Sequence, residues 1–288
     1  MKILELFQTK KPVISFEIFP PKLDTPIESI FDTLEQFKNL APDFISVTYG
    51  AGGSAKDRTI EIASKIKNEY SIESMSHFTC VGHSKEEIDK LLASLHENNL
   101  ENVLALRGDP PINQPDFDFS KNVFEYANEL ISYIKSKNNF CIAAAAYVEG
   151  HVNSIRLKDD LRYLKQKVDI GVDFLVTQLF FENKIFYDFL DKTSAIGIDC
   201  PITAGIMPVF KASQIIRIAS LCGASIPAKL VLLMDKYRET PDDMQKAGIE
   251  YANIQIRDLI DNGVDGIHLM TMNRPKLSKQ ILENTGIL

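Results

Sequence analysis

The stretch FCIAAAA at residues 140–146 is apolar at every position, and an amphipathic segment follows it. A second strand-like stretch, FLVTQ, comes at residues 174–178. Strands that are apolar on both faces are typical of a parallel sheet covered by helices. Between the two stretches, apolar side chains recur at the spacing of a helix: Ile155, Leu157, Leu161, Leu164 and Val168. The segment therefore predicts one strand–helix–strand unit.

The same alternation continues through the chain. Eight short strand candidates recur, most of them separated by about 30 residues, the length of one strand–helix unit. They are Val13–Phe19, Phe44–Thr48, Ser74–Thr79, Val103–Leu106, Phe140–Ala146, Phe174–Gln178, Ile202–Ile206 and Gly266–Met270. Eight units without a break in composition predict a single-domain (β/α)8 TIM barrel over residues 1–288, rather than a doubly wound open sheet.

Local signals add detail to the predicted helices. Ser84-Lys85-Glu86-Glu87 has the form of a capping box, and Gly171 and Gly197 follow helical patterns as C-terminal caps do. The longest gap, before the last strand, leaves room for extra helices around Lys229–Asp235 and Asp242–Asn262.

Composition narrows the class of protein. The chain has 288 residues, of which 45% are hydrophobic, and a formal net charge of −7, which argues against broad nucleic-acid binding. It contains no apolar run long enough for a membrane span and no signal-peptide pattern, so we expect a cytoplasmic protein. Neither a metal site nor a disulfide framework is expected, because the five histidines have no paired spacing and the cysteines form no CxxC pair: Cys80, Cys141, Cys200 and Cys222.

Polar residues gather where the predicted strands end. In a (β/α)8 barrel, the carboxyl ends of the strands and the loops after them build the active site. Almost every strand candidate contributes polar groups near this end: Glu17, Thr48, Tyr49, His77, Thr79, Arg107, Asp109, Tyr147, Glu149, His151, Thr177, Gln178, Lys211, Gln214, Thr271, Asn273 and Arg274. This convergence predicts one functional rim.

Glu17 is the strongest single signal. Its neighbours Phe16, Ile18 and Phe19 are apolar, so we expect burial to raise the pKa of the carboxyl group. A carboxyl group that stays protonated near neutral pH can act as a general acid. The alternative is a structural ion pair between Glu17 and an Arg or Lys inside the barrel.

Arg107-Gly108-Asp109 is the next signal. Glycine after a strand allows close approach of a ligand, and arginine offers a fork for phosphate or carboxylate. A structural turn closed by an Arg107–Asp109 pair is an equal alternative. His77, His151 and Gln178 fit either binding or structural roles. The segment GAGGSA at residues 50–55 matches a dinucleotide-binding pattern weakly, because it follows the second strand rather than the first.

Several of these segments together resemble one family, the methylenetetrahydrofolate reductases. The segments occur in family order over nearly the whole chain: SFEIFPPK at 15–22, SVTYGA at 46–51, DRT at 57–59, HFTC at 77–80, LALRGDPP at 104–111, TQLFF at 177–181 and GIMP at 205–208. The chain resembles the short bacterial form of this family.

This resemblance implies an enzyme in which NAD(P)H, with NADH favoured, reduces bound FAD. The reduced flavin then converts 5,10-methylenetetrahydrofolate into 5-methyltetrahydrofolate, which feeds methionine synthesis. Glu17 matches the general acid. The positions that match folate contacts are Asp109, Gln178, Gln214 and Arg274. The positions that match FAD contacts are Thr48, Tyr49, Ala51, His77, Arg107, Gly108, Asp109, Tyr147, His151, Asp160 and Lys167. Thr48 and Gln178 also fit the nicotinamide side.

Three residues depart from the family pattern. Gln166 replaces a basic residue on the FAD side, Ile218 replaces a stacking aromatic residue, and Met270 replaces a tyrosine. Two other functions stay open at this point: a pterin-binding barrel that works without flavin, and a non-catalytic barrel that binds folate or a partner protein. Family members commonly self-associate, so the resemblance also leaves room for a homo-oligomer.

Overall fold

The computed structural model describes residues 1–50, 56–110, 117–137 and 139–288. Eight β-strands lie in these ranges, and each begins and ends within one residue of its predicted bounds. In chain order they are β1 (Val13–Ile18), β2 (Phe44–Val47), β3 (Glu73–Thr79), β4 (Asn102–Leu106), β5 (Cys141–Ala146), β6 (Phe174–Thr177), β7 (Ile202–Ile206) and β8 (Gly266–Met270).

Helices connect these strands. Those found in the described ranges are α1 (Leu6–Thr9), α2 (Phe31–Lys38), α3 (Lys56–Asn68), α4 (Lys85–Glu97), α5 (Ala127–Lys137), α6 (Leu157–Ile170), α7 (Asn183–Ala195), α8 (Ala212–Cys222), α9 (Ala228–Lys236), α10 (Pro241–Asp261) and α11 (Pro275–Thr285). Helices α9 and α10 confirm the two extra helices expected before the last strand. None of the helices in the described ranges combines the length and the apolar character needed to cross a bilayer.

The sheet is a closed barrel. Each strand pairs in parallel with the next one along the chain, and β1 pairs in parallel with β8. The closing pair sets Val13 beside Gly266 and Glu17 beside Met270. The predicted (β/α)8 barrel is therefore confirmed, and the doubly wound sheet, which has two open edges, is wrong.

The strands are buried on both faces because helices cover the outside and side chains fill the inside. On the outer face, the Phe16 ring of β1 packs against Phe37 of α2 with ring centroids 5.4 Å apart. Ser84 caps α4 as predicted, since its hydroxyl oxygen accepts a hydrogen bond from the Glu87 amide and its own amide donates to the Glu87 carboxylate. Gly171 and Gly197 have left-handed φ angles of 118° and 75°, which confirms their role at helix ends.

One predicted helix begins later than expected. The apolar spacing predicts Ile155 on the buried face of α6, but its side chain is 96% exposed and α6 begins at Leu157. Arg156 has extended backbone angles and serves as the N-terminal cap, so the helix cannot include Ile155. The apolar spacing from Leu157 onward is correct.

The barrel interior changes in character from one end to the other. The amino-terminal layer is apolar and contains Val13, Phe44, Met75, Leu104 and Phe174. Further towards the carboxyl ends, the interior becomes polar, with buried side chains on five strands: Ser15, Ser46, His77, Thr203 and His268. This polarity change separates a stabilising end from a functional end.

The first residues of the chain close the amino-terminal end of the barrel. Ile3 is fully buried against the apolar layer, and its amide donates to Oδ1 of Asn102 on β4. The Phe7 ring lies 5.3 Å from the Phe174 ring, measured between centroids. This segment therefore acts as a plug under the barrel.

The plug leads to a stability prediction. Ile3→Ala removes a fully buried side chain and leaves a cavity, so the free energy of unfolding should fall by about 2–5 kcal/mol. Chemical denaturation monitored by circular dichroism measures this change. Ile155→Ala is the matched control, because that side chain is 96% exposed and the change should stay within about 0.5 kcal/mol. Equal stability of both variants would contradict the plug.

Candidate active site

Glu17 is the third inward-facing residue of β1, and it lies between two histidines of neighbouring strands. Its Oε2 atom is 3.6 Å from Nε2 of His77 on β3 and 3.6 Å from Nε2 of His268 on β8. The Glu17 side chain is 24% exposed, so it faces both the barrel interior and the open rim. The carboxylate thus has partners, as the structural alternative required, but they are imidazoles rather than Arg or Lys.

Serine hydroxyls hold the two imidazoles. The hydroxyl oxygen of Ser15 lies 2.8 Å from Nδ1 of His268, and that of Ser46 lies 2.7 Å from Nε2 of His77. All four side chains are buried. The imidazoles therefore keep fixed positions on either side of the Glu17 carboxylate.

The charge state of Glu17 differs from the sequence prediction. Burial pushes the pKa of its carboxyl group upward, but the interaction with His268 and the charge of His77 outweigh burial and lower the pKa below the usual 4.5. The predicted raised pKa is therefore wrong for the ligand-free protein. Burial also lowers the pKa of His77 to about 4, which makes this imidazole neutral at pH 7.

The segment Arg107-Gly108-Asp109 leaves β4 through a tight passage. Gly108 has a φ angle of +90°, and a Cβ atom there would lie 2.5 Å from Cγ1 of Val81 and 2.9 Å from Cβ of Thr79. The Val81 amide donates to the Arg107 carbonyl, which fixes the backbone. Only glycine fits this position. Because Gly108 holds the turn, Arg107 and Asp109 project from a rigid support.

A cavity of about 500 Å³ opens beside this turn, between β4, β5, α5 and α6. It brings together five of the residues predicted to contact a cofactor: Arg107, Tyr147, His151, Asp160 and Lys167. The Tyr147 and His151 rings meet edge to face with centroids 4.7 Å apart. Alanines of β5 form the floor and leave room for a ligand.

Two cations in this cavity have no carboxylate within ion-pair distance in the described part of the chain. Nζ of Lys167 donates to the Ala145 carbonyl at 2.7 Å, and the Arg107 guanidinium lies 4.2 Å from the centre of the Phe119 ring. Burial lowers the pKa of Lys167 to about 8, against the opposing charge of Asp160. Burial and the charge of Arg107 also lower the pKa of His151. This electropositive cavity suits a phosphate-bearing ligand.

Sequence reasoning missed several lining residues because they lie on helices or in loops rather than at strand ends. These residues are Tyr126, Ala127, Asn128, Asn153, Ser154, Tyr163 and Leu164. One signal could have found Tyr163: it follows Asp160 by three residues and precedes Lys167 by four, so all three share one face of α6. The hydroxyl of Ser154 donates to Asp160, which orients that carboxylate at the cavity.

Glu17 and Asp109 lie at the same end of the barrel. Burial, followed by the negative charges of Asp109 and Glu17, raises the pKa of the Cys222 thiol to about 11. Two carboxylates that act on one thiol must both be near it. Cys222 also borders a gap of about 10 Å³ together with Tyr147 and Gln178, and Tyr147 lines the 500 Å³ cavity as well.

The remaining predicted residues have varied positions. The Tyr49 side chain does not line the cavity. Its ring packs against Phe78, and its hydroxyl oxygen lies 3.2 Å from Nε2 of His83. Thr48 is partly buried next to β1, and its amide donates to the Ile18 carbonyl. Ala51, which is also predicted to contact FAD, lies outside the described residues.

Two predicted folate contacts lie away from the 500 Å³ cavity. Gln214 is partly buried in the first turn of α8, and Arg274 precedes α11 with its guanidinium 5.1 Å from the centre of the Phe210 ring. Of the departures from the family pattern, Gln166 is exposed on α6, whereas Ile218 and Met270 belong to a second apolar cluster under α8 and α9.

Comparisons with known proteins identify the family of the chain. The family model for methylenetetrahydrofolate reductase matches residues 2–286. The chain is 37% identical over 298 residues to methylenetetrahydrofolate reductase (NADH) 1 of Arabidopsis thaliana, an alignment that covers 100% of this chain and 50% of the plant protein. It is 31% identical over 276 residues to the 5,10-methylenetetrahydrofolate reductase of Escherichia coli K12, covering 95% of this chain and 90% of that protein.

A solved structure shares the fold. The uncharacterized protein from Clostridium thermocellum that binds two copies of 5-methyl-5,6,7,8-tetrahydrofolic acid superposes with a TM-score of 0.66 and 13% identity, covering 100% of this chain and 99% of the other. This chain spans about half the length of the plant relative and most of the length of the bacterial one. The match over residues 2–286 shows that the chain belongs to the methylenetetrahydrofolate reductase family.

Proposed function

We propose that this protein uses NAD(P)H, with NADH favoured, to reduce 5,10-methylenetetrahydrofolate to 5-methyltetrahydrofolate with FAD as its cofactor. One observation carries the proposal. The carboxylate of Glu17, flanked by two imidazoles, opens at the same barrel end as a cavity lined by two cations without a carboxylate partner in the described residues. The product would supply methyl groups for methionine synthesis.

The residues of the cavity fit FAD. Arg107 and Lys167 would meet the pyrophosphate, Asp160 would accept hydrogen bonds from ribose hydroxyls, and Tyr147 and His151 would border the cofactor. The flavin supplies hydride transfer between the nicotinamide and the folate, while the protein provides binding and orientation. The buried ammonium group of Lys167, which has no carboxylate partner within ion-pair distance in the described residues, favours a bound pyrophosphate.

A second set of residues would hold the folate. Asp109 projects from the rigid turn after β4 and would accept hydrogen bonds from the N–H groups of the pterin. Gln178 can donate and accept at the same time, which suits the mixed edge of a pterin. Gln214 and Arg274 would bind the more distant parts of the substrate, and the guanidinium of Arg274 suits its glutamate carboxylate.

Glu17 would hold the proton that opens the imidazolidine ring of the substrate. Its carboxyl oxygen would deliver this proton to a ring nitrogen, which produces the reactive iminium form of the folate. Glu17 is ionised at neutral pH in the ligand-free protein, so it must take up a proton before this step. The neighbouring imidazoles, 3.6 Å away, keep the carboxylate in place for that uptake.

NADH is the favoured reductant because the plant relative carries NADH in its name. A pterin-binding barrel without flavin is the second candidate, and the structural neighbour that binds 5-methyl-5,6,7,8-tetrahydrofolic acid favours it. The electropositive cavity argues for the flavoenzyme, since folate reduction without flavin does not need it. The purified protein should therefore be yellow, and a colourless protein that turns over folate would support the second candidate.

Glu17→Gln tests the role of the acid. The amide cannot deliver a proton, so folate reduction should fall by roughly 10²–10⁴-fold, while bleaching of the flavin by NADH stays unchanged. Rapid-mixing absorbance of the flavin separates the two half-reactions. Glu97→Gln, at an exposed position of α4, is the matched control. Equal folate turnover in Glu17→Gln and the wild-type protein would remove Glu17 from the mechanism.

The lowered pKa of Glu17 predicts a particular pH profile. Above that pKa, the protonated fraction of the free protein falls about tenfold with each pH unit. Because kcat/KM reports the free enzyme, its value for the folate should decline steadily as the pH rises through neutrality. Steady-state rates at about pH 5.5 to 8.5 measure this decline. A plateau up to neutral pH would instead indicate a raised pKa.

Lys167→Met tests the phosphate contact. Loss of a charge-assisted hydrogen bond of about 1.5–3 kcal/mol should weaken FAD binding by roughly 10–150-fold. The quenching of flavin fluorescence on titration with FAD measures the Kd. Lys165→Met is the control, because Lys165 lies on the same helix but pairs with Asp169. Similar affinities in both variants would remove Lys167 from the cofactor site.

A further inference from the structure

The turn after β8 is bonded to the backbone around Glu17. The hydroxyl of Thr271 donates to the Glu17 carbonyl at 2.7 Å, and the Thr271 amide reaches the same oxygen at 3.3 Å. The Asn273 side chain bonds Phe19 twice: Oδ1 accepts from the Phe19 amide at 3.1 Å, and Nδ2 donates to the Phe19 carbonyl at 2.8 Å. Two residues of one turn therefore grip the backbone on both sides of Ile18.

These hydrogen bonds extend the contact between β1 and β8 beyond the regular pairing of the two strands. The ladder between β1 and β8 ends at the pair of Glu17 and Met270. Beyond that pair, the carboxamide of Asn273 offers one acceptor and one donor to Phe19, as a neighbouring strand would. The carboxyl end of β1 is thus held where the regular sheet stops.

The turn adopts an unusual backbone to reach this position. Met272 and Asn273 have consecutive left-handed φ angles of 53° and 54°. Asparagine tolerates this conformation better than most residues, whereas a methionine there is uncommon. The Asn273 amide also donates to the Thr271 hydroxyl oxygen at 3.2 Å, which ties the turn to itself. Such a conformation persists where surrounding contacts determine it.

The chain beyond Phe19 is fixed from the opposite side. The Arg58 guanidinium of α3 donates to the carbonyl oxygens of Pro21, Lys22, Leu23 and Thr25 at 2.6–3.2 Å. Arg58 therefore holds the loop after β1, and Asn273 holds the junction between that loop and the strand. Of the two, Asn273 bonds the residue that is nearer to Glu17 along the chain.

We propose that Asn273 is a positioning residue for Glu17, an inference that rests on the proposed function of Glu17 as the proton donor. By fixing Phe19, Asn273 sets where the Glu17 carboxylate meets the folate. Small misplacements of a catalytic group can lower a rate by about 10²-fold. The hydrogen bonds between Asn273 and Phe19 therefore affect catalysis although Asn273 does not contact the substrate.

Asn273→Gly is the decisive variant. Glycine keeps the left-handed backbone without strain and removes only the carboxamide, so the protein should still fold. Asn99→Gly is the matched control, because Asn99 is an exposed asparagine with a φ angle of 60°. In Asn273→Gly, the rate of folate reduction should fall by about 10–100-fold, while flavin reduction by NADH and the Kd for FAD stay within about twofold. An unchanged folate rate would overturn the proposal.

A double variant distinguishes positioning from general damage. If Asn273 acts through Glu17, then adding Asn273→Gly to Glu17→Gln should cause no further loss of folate reduction. Losses that multiply would show that Asn273 acts elsewhere and would overturn the proposal. A wild-type protein that fails to reduce the folate would refute the proposed function instead.

Hydrogen exchange tests the hydrogen bonds between Asn273 and Phe19 independently of enzyme turnover. The Phe19 amide donates to Asn273, so its exchange should become at least about tenfold faster in Asn273→Gly and stay unchanged in Asn99→Gly. Mass spectrometry of the peptide containing Phe19 measures this exchange. Unchanged exchange in Asn273→Gly would show that other contacts hold Phe19, and this outcome also overturns the proposal.

Discussion

The pairing of β1 with β8 is the constraint on which the site depends. Parallel closure points the carboxyl ends of all eight strands to one rim, so residues distant in sequence meet there. Its register also sets Ser15 beside His268 and Glu17 beside Met270. A shift of one residue would turn Glu17 out of the barrel, because successive side chains of a strand face opposite sides.

Closure also explains the electrostatics of the barrel interior. The Glu17 carboxylate lies between two imidazoles rather than beside a permanently charged Arg or Lys, and these imidazoles come from strands on either side of β1 and β2. Nε2 of His268 is buried and makes no hydrogen bond to another described residue, although it lies 3.6 Å from Glu17. A short movement of either group would complete that contact. Such a balance between burial and pairing suits the proton transfer proposed for Glu17.

Stability and chemistry are divided between the two ends of the barrel. Apolar side chains and the plug around Ile3 fill the amino-terminal end, where packing can be tight. The carboxyl end contains a polar interior layer, an electropositive cavity and the turn that holds Phe19. Glycine at position 108 belongs to this second end, because it lets β4 leave the barrel against Thr79 and Val81. Gly108 and the turn that holds Phe19 thus lie at the same end of the barrel as Glu17, Arg107 and Asp109.

The sequence by itself determined the number, order and bounds of the strands, because the burial of both faces leaves a local pattern of apolar residues. It also determined that Glu17, Arg107 and Asp109 lie at strand ends, and the motifs around them indicated the family. Tertiary structure alone decided that His77 and His268 flank Glu17 and reverse the expected direction of its pKa. It also decided that Asn273 holds Phe19, 254 residues away along the chain. These features arise from contacts between distant residues, and a pKa responds to what lies near a group in space rather than beside it in sequence.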